Sequence, residues 1–343
     1  MAEGVFMDIE IDGTAMVAAG WAISVILEED LDATTTVTAR FVVDPDNVGV
    51  IRGLDFGDTV TVKLGDGDAV KRTIPTTLVE LSDEIDAAGG WSVTIRACDD
   101  LAKLKNKAQS KLHEGGLSAL LSTIAGDHGL TAQPKGLAST TQPILQNNLS
   151  NAEMLRRIAK AYRYTTTLDA KNLIFGGALD STTVEVGVDD RLTRLAVKRS
   201  LLGIPTEVSV LGWDWKTNQA AVTGKAAASQ LAKISGGRDA ATLVSQTWGT
   251  VAWTVEAEKV LVEGDATALA TGVLRDAAER FLTGSLECLG QPDAKPGRTL
   301  TITDFAFANG SYRINATVHT VDPEQGYRTV IDFYSDSMPT RSL

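Results

Sequence analysis

The chain has 343 residues, 43% of them hydrophobic and 22% charged, which excludes a disordered or fibrous polypeptide and leaves room for two or three domains at roughly 100 to 200 residues each. Lys and Arg number 32 against 44 Asp and Glu, and the resulting net charge of −12 argues against a free surface that grips nucleic acid or anionic lipid by neutralising phosphate. The 31 glycines against 9 prolines, with abundant Thr and Val, favour many strands joined by tight turns.

The N-terminus, Met1-Ala2-Glu3-Gly4, lacks the basic start and apolar run of a signal peptide. The greasy segment 15–27 is broken by Gly20 and Ser24 and runs into Glu28-Glu29-Asp30; a bilayer needs about 20 apolar residues, so no membrane span is expected. From 14 to 96 the chain reads as strands: 34–43, stopped by Asp44-Pro45-Asp46-Asn47; 59–64, turned by Gly65-Asp66-Gly67-Asp68; then 70–74, 76–81 and 91–97. Helical spacing takes over at 116–129, with Leu117, Leu120, Leu121 and Ile124 on one face. Ser150 and Glu153 follow capping-box logic, which predicts a helix burying Leu155, Ile158, Ala159 and Tyr162 and turning Arg156, Arg157, Lys160 and Arg163 outward. A hairpin is predicted over 165–175, and strands over 194–201, 206–214 and 259–262. Asp265 is expected to cap a third helix, with Leu269, Val273, Ala277 and Phe281 recurring until Gly284. The end is again β: 298–305, a turn at Asn309-Gly310, then 312–321 with Tyr312, Ile314, Ala316 and Val318 on one face, and 327–334.

Enzyme signatures fail on inspection. No GxGxxG opens a helix, and Gly224-Lys225 is followed by Ala226 without the upstream glycine of a phosphate loop. Ser118 and Ser285 lack a GxSxG elbow, and His113-Glu114 is followed by two glycines rather than a second histidine. His113 and His128 are expected at the surface or in caps, and His319 packed or half exposed in a strand. Cys98 and Cys288 belong to no metal-spaced cluster and read as buried small hydrophobes. The two Asp-rich turns do not match calcium-loop spacing. Trp213, Trp215, Trp248 and Trp253 fit either a sugar-binding platform or core and subunit-interface packing, the commoner fate. No catalytic, cofactor-binding or metal residue is assigned, no cofactor is expected, and the chain is read as a non-enzyme. The alternative is a carbohydrate-active β protein using those tryptophans and two carboxylates.

A resemblance covers residues 24–333. Gly90-Trp91-Ser92-Val93-Thr94-Ile95-Arg96-Ala97-Cys98-Asp99-Asp100-Leu101-Ala102-Lys103-Leu104 resembles a strand running into D-x-L-x-x-L. Leu117-Ser118-Ala119-Leu120-Leu121, Ala125-Gly126-Asp127-His128-Gly129-Leu130 and the helix from Gln146 to Ala159 follow in the same order. Near the end come Leu286-Glu287-Cys288-Leu289-Gly290, Lys295-Pro296-Gly297-Arg298, Gly310-Ser311-Tyr312-Arg313-Ile314 and His319-Thr320-Val321-Asp322. Together they resemble the phage late control protein D family, baseplate hubs similar to the N-terminal hub part of type VI secretion VgrG spike proteins.

The resemblance implies a mainly β fold with an α+β insert: two related β-barrel domains of tube type and a small α/β insertion. The expected division is 1–100 for the first barrel, completed by later strands, 101–190 for an insert with two helices, and 191–343 for the second barrel with one long helix. It also implies a homotrimeric structural hub in a contractile tail or phage-derived injection particle, joining a hexameric tail tube to a trimeric spike. Other baseplate proteins are implied as partners, and no membrane or specific nucleic acid, although DNA or cargo would pass through the channel. The place of work is the virion tail baseplate or particle, assembled in the host cytoplasm. Because the chain ends at Ser342-Leu343, the spike is expected to be a separate protein. A hub of a type VI machine or a noncontractile tail is the alternative within the same fold. The acidic excess is read either as lining the channel or as solvating the outer face.

Overall fold

Alternating apolar and polar residues put one face of most strands inward, and the chain folds accordingly. The computed structural model describes residues 4–11, 13–139, 143–177, 180–187, 192–214, 219–231, 233–257, 263–305 and 307–338. The first segment supplies β1 (Val5–Ile11), β2 (Thr14–Ala15), β3 (Ala22–Asp30), β4 (Thr36–Val43), a short α1 (Val48–Arg52), β5 (Thr59–Asp66), β6 (Ala69–Ile85) and β7 (Trp91–Cys98). Met7, Ile9, Val25, Leu27, Phe41, Val62, Leu64 and Ile95 fill one core. The residues 70–74 and 76–81, expected as two strands, form the single strand β6. Pro75 interrupts nothing because β6 pairs there with β5 alone, β7 beginning only at Thr77.

An insert follows: a 3-10 turn (Asp100–Lys105), β8 (Ala108–His113), α2 (Gly116–Asp127), β9 (Thr131–Lys135), β10 (Ile144–Ser150), α3 (Asn151–Tyr162), β11 (Thr165–Asp169) and β12 (Asn172–Gly176). The capping box at Ser150 and Glu153 forms as expected. Leu120, Leu121, Ile124, Leu155, Leu173 and Phe175 make the insert's own core. Arg163 is not on the outward face: it ends α3 at φ 54° and turns toward Glu279, to which its Nε donates at 2.7 Å.

The remainder is β13 (Thr183–Val186), β14 (Leu192–Arg199), β15 (Glu207–Asp214), β16 (Gln219–Ala227), α4 (Ala240–Trp248), β17 (Ala252–Ala257), α5 (Glu263–Glu279), β18 (Leu282–Leu289), β19 (Thr299–Ile302), β20 (Gly310–Asp322) and β21 (Gly326–Ser335). β1–β7 join β13, β14 and β18–β21 in one 13-stranded sheet, in the order β14-β18-β21-β20-β3-β4-β7-β6-β5-β1-β2 with β19 and β13 branching from β20. The sheet is antiparallel except for β13 on β19, and it curls around a second core holding Val186, Leu286, Leu300, Tyr312, Ile314, Ile331 and Phe333. Val5 of β1 and Tyr327 of β21 close on Gly290, where even a Cβ would stand 2.3 Å from the tyrosine ring.

Three sequence expectations change here. β15, β16 and β17 form a separate sheet covered by α5, with Val208, Val210, Ala226, Ala266, Ala270 and Leu274 as its core. Helix α4, capped by the Asp239 carboxylate on the Thr242 N–H at 2.7 Å, has no counterpart in the periodicity reading. α5 ends at Glu279, so Phe281 lies beyond it and Gly284 belongs to β18; its buried face is Ala266, Ala270, Leu274, Ala277 and Ala278. Asp265 lies inside the first turn rather than before it. Small residues win that face because Gly224 of β16 brings the strand backbone against the helix: a Cβ on Gly224 would lie 2.1 Å from the Ala266 carbonyl carbon. The strand expected over 259–262 and Trp215 fall outside the described residues.

Candidate functional site at the joint between the two cores

β20 is where the two cores meet. Its first half pairs with β19, its second half with β3, and β21 runs beside both. A register shift between Ile314 and Ala316 inserts one extra residue, Asn315, and reverses the alternation. Ala316 and Val318, expected on the apolar face with Tyr312 and Ile314, turn out to be half exposed, and Thr317 and His319 point inward instead. His319 is fully buried, the packed alternative of the sequence expectation.

The inward residues complete a polar cluster drawn from distant strands. Arg72 of β6 donates through Nη2 to the Glu29 carboxylate of β3 at 2.5 Å and through Nη1 to the Ala294 carbonyl at 2.6 Å. Thr317 donates to the other Glu29 oxygen at 3.4 Å, and His319 Nε2 stands 3.7 Å from it. His319 Nδ1 lies 2.9 Å from the Tyr327 hydroxyl and 3.1 Å from that of Thr329. Burial alone would raise the Glu29 carboxyl, but the Arg72 guanidinium overrides it and holds the group below its ordinary value. Burial pushes the His319 imidazole down to about 4, against the pull of Glu29, so the ring is neutral at pH 7 and its approach to Glu29 is not an ion pair.

A cavity of about 280 Å³ opens above Arg72 and is lined also by Lys71, Asp99, Asp169, Lys295 and Arg298. Asp99 caps the 3-10 turn, accepting from the Leu101 and Thr35 N–H groups at 3.1 Å each, and burial raises its carboxyl to about 6. Lys295 reaches Asp169 at 3.4 Å, and Arg298 reaches Asp180 at 3.4 Å and Asp293 at 3.7 Å. The Lys295–Asp169 pair ties the 291–298 turn to β11 of the insert, as Arg72 ties that turn to β6 and β3. Chemically the arrangement clamps modules together. Nothing in the composition pointed to it, since Arg72 and Glu29 are 43 positions apart and Glu29 and Thr317 are 288 apart.

The other singled-out residues lie elsewhere. His113 is buried, not at the surface, with Nε2 2.8 Å from Gln146 Oε1; His128 follows α2 as expected of a capping residue and meets Asn151 at 3.0 Å. Cys288 is buried, Cys98 is only half-buried, and no disulfide joins them. Trp248 and Trp253 are surface residues, 53% and 37% exposed, rather than core. Asp44 and Asn47 build the expected turn, the Asn47 carboxamide accepting from the Asp44 N–H at 2.9 Å. Among the described residues no group of three or more His, Cys, Asp or Glu side chains could hold a metal ion. Among them, too, no helix is long and apolar enough to cross a membrane.

The fold has known counterparts. The 43 kDa tail protein of prophage MuSo2 from Shewanella oneidensis superposes with a TM-score of 0.68 over 96% of this chain and 98% of its own, at 12% identity. The tail protein from Neisseria meningitidis MC58 gives 0.66 over 97% of each chain at 13% identity. An E. coli component of the type VI secretion system, itself described as similar to the T4 tail proteins gp27 and gp5, gives 0.57 over 98% of this chain and 79% of its own at 9% identity. No protein-family model matches the chain. No curated protein matches it either. At these identities the likeness is one of fold: a mainly β tail-protein architecture with a curled antiparallel sheet and helical insertions.

Proposed function

We infer that the chain is a structural baseplate hub, three copies of which form the ring that adapts a sixfold tail tube to a threefold spike. The observation that carries this reading is the end-to-end match of fold with two tail proteins, one of them from a prophage, 98% and 97% of whose lengths are covered. The architecture suits the task. Two barrel-type cores on one continuous sheet give each subunit two similar tube-facing units, so three subunits present six. The polar cluster of Arg72, Glu29 and His319 fixes the angle between those units, and a ring adaptor needs that angle held. The work is assembly rather than catalysis, and a spike, a tube protein and other baseplate components are the partners.

The test is electron microscopy of the purified chain, alone and mixed with a tail tube protein from the same genome. A threefold ring seated on the tube's end is the expected result. A chain that stays monomeric and ignores the tube protein overturns the reading.

A further inference from the structure

Charge is unevenly distributed along the chain. Residues 101–177 carry ten Lys and Arg against four Asp and Glu, a net of +6, whereas the rest carries 22 against 40, a net of −18. Much of the basic excess gathers around β8. Lys105 and Lys107 lead into that strand and Lys111 lies on it, all exposed. Lys103 and Lys171 are held by Asp100, but among the described residues Lys105, Lys107 and Lys111 have no ion-pair partner. Among the described residues β8 is bonded to β10 alone, which leaves its outer edge open, and Leu112 and Leu145 face each other across the ribbon at 55% and 54% exposure.

A second open edge has the opposite character. β5 covers β6 only as far as Thr77, and Leu78 is tied to Gly57 and Asp58. Among the described residues, β6 from Val79 to Ile85 is flanked by β7 on one side only. Val79 and Ile85 are 47% and 71% exposed, and Glu80, Asp83 and Glu84 between them are exposed as well, Glu84 pairing with Arg40 at 3.0 Å and Asp83 accepting from the Trp91 indole N–H at 2.9 Å. Long open edges are ordinarily blunted or covered, because their unpaired N–H and C=O groups attract another strand.

The geometry points to a head-to-tail contact between two copies of this chain, in which β8 of one copy lies along the Val79–Ile85 edge of the next. The stretches match in length, six residues of β8 against seven of β6. Backbone pairing answers both open edges; in a parallel register Lys107 meets Glu80, Lys111 joins Arg40 at Glu84, and Leu112 covers Ile85. Charge also sets the symmetry. Two β8 ribbons repel each other and so do two β6 edges, which disfavours a twofold pairing and leaves the heterologous contact that closes into rings. This rests on the ring-forming reading above and supplies the surfaces that reading lacks.

The experiment is sedimentation velocity of the full chain at low and high salt, with folding checked by circular dichroism. The variants are K107E/K111E, E80K/E84K and the fourfold combination. Each double variant is expected to weaken self-association on the order of tenfold or more, because attraction becomes like-charge repulsion. The combination, which exchanges the signs, restores it. Double variants that associate as tightly as the unaltered chain overturn the contact and leave the ring reading standing. Double variants that fall apart without rescue in the combination show that the two surfaces do not meet, and also overturn it. An unaltered chain that is monomeric even with the tube protein removes both.

Discussion

Arg72 carries more of the joint than any other side chain, since its two Nη atoms bridge a strand of the first core to a carbonyl of the 291–298 turn. In Arg72→Met the Glu29 carboxylate stays buried with its cation gone, and breaking such a pair costs about 3 to 5 kcal/mol, readable as a drop in the urea midpoint. Arg328→Met, which breaks a pair whose side chains are 33% and 29% exposed, costs under about 1 kcal/mol by the same measurement. Acid probes the same cluster. His319 titrates near 4 in the fold against 6.5 ordinarily, so the unfolded chain takes up a proton that the native state refuses. Its stabilising contribution is therefore complete above pH 6.5 and is lost as pH falls toward 4, up to about 3 kcal/mol. Asp99, raised to about 6 from 3.8, works the other way: the native state holds its proton longer, and acidification through that window favours the fold. His319→Gln should flatten the decline in melting temperature between pH 6.5 and 4, and Asp99→Asn should steepen it. Unchanged slopes in both would mean that neither group titrates as described.

Helix α3 is set by local chemistry. Its capping box has the Ser150 hydroxyl accepting from the Glu153 N–H at 3.2 Å and the Glu153 carboxylate accepting from the Ser150 N–H at 2.7 Å. Ser150→Ala should cost about 1 kcal/mol. Helix α5 is set by packing instead. A Cβ on Gly272 would stand 2.7 Å from the Tyr162 carbonyl carbon of α3, so Gly272→Ala is expected to destabilise by about 1 to 3 kcal/mol, although alanine is the better helix former. Denaturant midpoints check both. That contrast explains what was legible in the sequence. The capping box, the β5–β6 turn at Gly67 and the strand alternation up to Ile314 depend on residues a few positions apart, and each stands as the pattern predicts. The bulge at Asn315, the alanine face of α5 and the meeting of Arg72 with Glu29 depend on partners far along the chain. An alternation rule applied beyond the bulge therefore assigned Ala316 and Val318 to the face that Thr317 and His319 occupy. The joint stayed hidden for the same reason, because its charged members read singly as solvated strand residues.

The molecule as a whole is tied together by two long strands rather than by the interface of two finished domains. β20 contributes Tyr312 and Ile314 to the second core and, with Val321, reaches the first; β21 places Ile331 and Phe333 in one and Tyr327 in the other. Since β3 bonds to β20 over 25–30, neither core keeps its full complement of strand partners once the other opens. The two cores should therefore unfold as one cooperative unit. Leu27→Ala, in the first core, and Ile331→Ala, in the second, remove fully buried side chains and should each cost about 2 to 5 kcal/mol. In calorimetry both should shift the same transition, with equal loss whether the probe is near-ultraviolet dichroism from the first core or proteolysis in the second. Two separated transitions, each answering to only one substitution, would mean that the long strands do not couple the cores. That outcome would count against the adaptor role too, because a ring that passes force from tube to spike needs its two units to move as one.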